Sequence, residues 1–77
     1  MSIARDAAVA LVADALGVDR SEVDASTALG TTLQWDSLAH MRLILALEER
    51  LGRRLDPESI VAISGIQDVV ALLEGDA

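Results

Sequence analysis

Apolar residues along this 77-residue chain recur at helical intervals, and nowhere do they alternate with period two. Val9, Val12 and Leu16 stand at i, i+3 and i+7 with Gly17 just beyond, so the spacing predicts a first helix from about Ile3 to Leu16, stopped by the glycine. From Val18 to Leu33 the chain mixes Asp, Ser, Thr and Gly with scattered Val18, Val23, Leu29 and Leu33, the pattern of a long loop anchored by apolar pegs. A loop of that length in a small domain usually has a function. Asp36 then offers an N-cap carboxylate to a second helix, which runs to about Leu51 and stops at Gly52. Arg53 and Arg54 beyond it suit the negative end of the helix dipole. Asp56-Pro57 repeats the start signal but leaves room for only a short helix before Ser64. Ser64-Gly65-Ile66-Gln67 reads as a capping box opening a last helix, to about Leu73. Strands are not expected, because β-branched residues are few outside Ile60 to Val70. The pattern therefore predicts an all-α fold and a single domain over residues 1–77: a four-helix bundle with three main helices, one short helix and a long first loop.

The second helix carries two apolar stripes. At 100° per residue, Leu43, Ile44, Leu47 and Leu51 gather on one side with His40 above them, while Leu38, Met41 and Leu45 line nearly the opposite side. One stripe suffices for a bundle core. The other is either wrapped by a further helix or left exposed for a partner, with Arg42 and Glu49 flanking it.

Composition narrows the function classes. With 52% apolar residues, a domain this small can fold without staples, and the absence of cysteine removes both a disulfide framework and a thiolate zinc site. Thirteen acidic residues against six arginines give a net charge of -7, which repels nucleic acid and anionic lipid and favours basic protein surfaces. Neither nucleic acid nor a membrane is therefore an expected partner. Arg5, Asp6 and Asp14 break the apolar run of Met1 to Leu16 that a signal peptide would need, and no segment approaches the roughly 20 apolar residues of a spanning helix. A cytoplasmic location is expected.

Asp36-Ser37-Leu38 is the segment that carries chemistry. It sets a serine hydroxyl at the mouth of a helix, yet the sole histidine, His40, lies three residues along the same helix, a poor geometry for a triad, and no cysteine or lysine offers another nucleophile or base. No catalytic or metal site is expected. A serine displayed without machinery is better read as one that another enzyme modifies, although an interaction-only helical domain would show the same exposed stripe. His40 reads as a partly buried structural histidine, and Trp35, the sole aromatic residue, as packed on the bundle or in contact with a partner.

Leu33-Gln34-Trp35-Asp36-Ser37-Leu38, followed by Ala46-Leu47-Glu48-Glu49 and Leu51-Gly52, resembles the phosphopantetheine attachment region of acyl carrier proteins. The likeness extends over nearly the whole chain, through the first-helix pattern, the long loop, the short helix after Asp56-Pro57 and the final helix. The resemblance implies that Ser37, flanked by Asp36 and Leu38, accepts 4'-phosphopantetheine from coenzyme A, delivered by a magnesium-dependent phosphopantetheinyl transferase. The arm's thiol would then carry an acyl or aminoacyl group as a thioester to loading and transfer enzymes, and the carrier would be monomeric. Departures from the fatty-acid pattern point to a specialised biosynthetic pathway. Ala39, Arg42 and Val61 stand where those carriers usually have acidic residues, and Gln34 replaces a common glycine. Partners are accordingly expected to read Leu38, Met41, Arg42, Leu45 and Val61. An acyl chain is expected to enter the bundle past Ile44, Leu47, Ile60 and Ile63, where aromatic bulk is lacking.

Overall fold

From the end of the first helix to the start of the last, the helices begin and end where local chemistry supplies the missing hydrogen-bond partners. The computed structural model describes residues 3–75. Met1, Ser2, Asp76 and Ala77, the ends of the expected domain, lie outside them. Helix α1 spans Ile3–Leu16 and α2 spans Ser37–Leu51. Both close in the same way. Gly17 and Gly52 adopt φ of 72° and 71°, a left-handed turn that costs glycine little, and the next amides reach back, Val18 to Ala13 O at 3.0 Å and Arg53 to Glu48 O at 3.2 Å. At the start of α2 the Asp36 carboxylate accepts the Ala39 N–H at 2.8 Å.

Helix α3 is a six-residue segment, Pro57–Ala62, with Asp56 accepting the Ser59 N–H at 2.7 Å and proline at its first turn. None of its own residues is fully buried; Ile63, just past its end, is the anchor. Helix α4 spans Ile66–Gly75. Its N-terminal box differs from the expected one, because Asp68 and not Gln67 closes it. One oxygen of the Asp68 carboxylate accepts the Ser64 and Gly65 N–H groups at 3.0 Å and the Ser64 hydroxyl at 3.1 Å. Gly65 is thus the cap position, which places the third helical residue at Asp68.

Packing centres on α1, which lies against both α2 and α4. Ala8, Ala13 and Ala15 on its buried side are small enough to let both neighbours approach closely, and Val12 and Leu16 fill the gap between them. Leu43 and Leu47 of α2, Val69 and Ile66 of α4 and Trp35 complete an interior in which each of these side chains is essentially inaccessible to water. The result is a four-helix bundle without strands among the described residues.

The loop between α1 and α2 is more structured than its composition suggests. It contains a 3₁₀ turn, Arg20–Glu22, in which the Asp19 N–H donates to the Glu22 carboxylate at 3.1 Å. An isolated antiparallel bridge pairs Ala28 with Gly65: Leu29 N–H donates to Ser64 O at 2.7 Å and Ile66 N–H to Thr27 O at 3.2 Å. Of the expected pegs, Val23 is buried and Val18 half-buried, whereas Leu29 is 39% and Leu33 89% exposed. Thr27 and Trp35 take their places inside. The bridge explains the exchange, since it holds the backbone of Ala28 against the α3–α4 turn and carries the following residues over the surface.

Candidate functional site

Ser37 is the first residue of α2 and is exposed. Asp36 uses its side chain on Ala39 N–H and its carbonyl on His40 N–H, at 2.9 Å. The preceding amides, those of Ser37 and Leu38, sit in the first turn, where no carbonyl one turn back can accept them. A group attached at the Ser37 hydroxyl thus meets solvent on one side and a helix N-terminus on the other, a setting that favours an anion. Asp36 opposes this with its own charge, which directs such a group outward. No described residue holds the hydroxyl, and no residue that could activate it as a nucleophile is hydrogen-bonded to it.

His40 is committed elsewhere. The buried Trp35 indole donates its Nε1–H to His40 Nδ1 at 3.1 Å, and His40 Nε2 stands 3.2 Å from Ile60 O. An acceptor at Nδ1 fixes the neutral tautomer with its proton on Nε2, donated to the α3 carbonyl. The rings lie 6.3 Å apart, tilted by 31°. Trp35, 1% exposed, therefore belongs to the interior and not to a contact surface. This relay was invisible in the sequence; its one signal is an indole and an imidazole five residues apart across a helix cap.

The second stripe of α2 is open. Leu38, Met41 and Leu45 are 60%, 55% and 62% exposed, and Val61 on α3 is 82% exposed. Arg42 is also exposed, on the border of the stripe away from Ser37, and no hydrogen bond or ion pair to another described residue holds it. Four of the six arginines but only five of the thirteen acidic residues fall within residues 35–62, so most of the net negative charge falls outside the segment that carries α2 and α3. Among the described residues no cluster of acidic or histidine side chains could hold a metal ion, and no helix is long and apolar enough to cross a membrane.

The four residues expected to line an acyl pocket fall together in the interior: Ile44, Leu47 and Ile63 are buried and Ile60 is half-buried. Of these, Ile63 also lines a cleft of about 280 Å³ between α3 and α4, with Ser59, Ala62, Asp68, Ala71 and Leu72.

Comparison with known proteins places this geometry in context. A family model described as a phosphopantetheine attachment site matches residues 6–73. An acyl carrier protein of Helicobacter hepaticus is 34% identical over 67 residues, which cover 87% of this chain and 88% of that protein. The acyl carrier protein of Solidesulfovibrio magneticus is 34% identical over 83% of this chain and 82% of its own length. For that of Thermosynechococcus vestitus the identity is 38%, over 79% and 75%.

Proposed function

Because the chain belongs to the acyl carrier protein family, whose members are carriers and not enzymes and whose prosthetic group is 4'-phosphopantetheine, we propose that Ser37 is the attachment residue and that this carrier serves a specialised biosynthetic pathway. The observation that carries the site is the exposed Ser37 hydroxyl at the N-terminus of α2, directly after the Asp36 cap. Attachment forms a phosphodiester between Ser37 Oγ and the phosphopantetheine of coenzyme A, with the adenosine bisphosphate as leaving group. The arm supplies a thiol, which the polypeptide lacks, for holding an acyl or aminoacyl group as a thioester. Asp36 holds the first turn of the helix and Leu38 begins the face from which the arm departs.

Partners in this reading are a phosphopantetheinyl transferase and loading and transfer enzymes that dock on Leu38, Met41, Leu45 and Val61, with Arg42 at the rim. A specialised role is supported by the charge of that face. Where a basic synthase would look for carboxylates, this chain exposes Arg42 and Val61, while Ala39, the third position that departs from the fatty-acid pattern, is buried in the core. The protein acts as a monomeric cytoplasmic carrier. Intact mass after incubation with coenzyme A and a broad-specificity transferase tests the site: one phosphopantetheine should add to the wild type and none to Ser37→Ala, with the helical circular dichroism of both unchanged. Addition to the alanine variant would move the site elsewhere, and no addition to the wild type would leave an interaction-only domain.

A further inference from the structure

Helix α3 is too short to stand alone: six residues cannot repay helix nucleation, and none of its side chains is fully buried. Its position depends on ties to the rest of the bundle. The last carbonyls of any helix lack partners within it. In α3, Ser59 O is taken by the Ile63 N–H at 3.2 Å, and Ile60 O is met from outside by His40 Nε2 at the same distance. His40 in turn accepts the indole N–H of Trp35, the residue two before Ser37. A single side chain on the first turn of α2 thus joins the segment that leads into the attachment serine to the helix that carries Val61.

We propose that His40 is a positioning residue: its neutral imidazole fixes α3 and the attachment turn relative to each other, so that Val61 and the Leu38-Met41-Leu45 stripe form one docking face, and protonation opens this link at Trp35. The proposal rests on the reading of Ser37 and its face given above. The chemistry is asymmetric. A proton added to Nδ1 leaves the Nε2–H bond to Ile60 O intact but sets two donors against each other where the indole bond was. The indole must then turn away or lose its partner in a buried site, and the strain falls on Trp35-Asp36-Ser37.

Nearby charges do not share the relay. On α2, Asp36 is engaged by Ala39 N–H, Arg42 points to the opposite side of the helix and Glu48 is engaged by Leu55 N–H at 2.8 Å. On α3 the one charged residue is Glu58, which is exposed, and residues 25–35 of the loop carry no charge. Asp68 of α4 is held by Ser64 and Gly65, and Asp6 and Asp14 of α1 are exposed.

Trp35 is the sole aromatic residue, so its emission reports the relay without interference. In the unmodified protein, acidification that leaves the circular dichroism unchanged should alter the indole fluorescence in one step. His40→Gln, which keeps an acceptor and a donor but cannot titrate, should give a flat profile. His40→Phe, its folding checked by circular dichroism, should raise the carrier KM for the transferase by up to about tenfold, the worth of a lost hydrogen bond, with kcat little changed. His40→Gln should recover most of that loss. An unaltered fluorescence titration in His40→Gln, or a wild-type KM in His40→Phe, would overturn the proposal. If the wild type accepts no phosphopantetheine, the Ser37 assignment fails separately, and the fluorescence titration still judges the relay.

Discussion

At Ser37 position matters and reactivity does not: the hydroxyl is displayed by its cap and helix while the one histidine nearby is occupied on both ring nitrogens. Carboxylates in this chain act in a similar way, as caps first. The hydrogen bond from the Ser64 N–H, with those from the Ser64 hydroxyl and Gly65 N–H, holds the Asp68 carboxyl below the usual carboxylate range despite partial desolvation. A lowered value in the folded state means that the charged form stabilises the fold. That contribution is complete above the unfolded-state value, near pH 4, and is lost as the pH falls through the folded-state value. Asp68→Asn should therefore lower the melting temperature at pH 7 by several degrees, of the order seen for a lost cap. The difference from wild type should shrink below about pH 4, and thermal melts from pH 7 to pH 2 would measure it. A difference that stays constant across that range would mean that charge is not what Asp68 contributes.

Among the elements, α2 has most to do, with one side in the core and the other in water. Met41→Glu tests the division. The site is 55% exposed, so the melting temperature should change by less than about 2 °C, the shift of a minor surface substitution, while modification by the transferase slows. A large loss of stability would return the stripe to the interior. The bounds of α1, the capped start of α2 and both glycine stops were legible because each depends on residues within one or two turns. The short length of α3 was legible for the same reason. The box of α4 was misassigned because Gln67 and Asp68 both lie within reach of the preceding turn, and only the backbone geometry selects the aspartate. The loop was the least legible. Whether Leu29 or Thr27 turns inward is decided by pairing with Gly65, far along the chain, and no local pattern carries that information. For the same reason the sequence singled out Ser37 and the stripe but left open whether a helix covers that stripe, and it hid the Trp35–His40–Ile60 relay.

For the whole molecule the unequal spread of charge sets the terms of encounter. A net charge of -7 lies mostly outside residues 35–62, so docking at the α2–α3 face should depend on salt less than the total charge suggests. Transferase KM measured between about 50 and 500 mM salt, a range that shortens the Debye length severalfold, should rise only slightly; a steep rise would assign the contact to charge. The interior, built from aliphatic side chains and a single indole, is where cargo would be sheltered. Thioesters of increasing length on the arm should raise the melting temperature stepwise, each buried methylene contributing about 0.8 kcal/mol, whereas a flat series would leave the chain in solvent. The bridge between Ala28 and Gly65 has one more effect, seen when the chain is cut. It pins the loop on one side and Trp35 pins it on the other, so the intervening Gly30 to Gln34, with Leu33 almost fully exposed, is the stretch a protease can grip. A nick there should leave two fragments that travel together through a sizing column and separate only in denaturant.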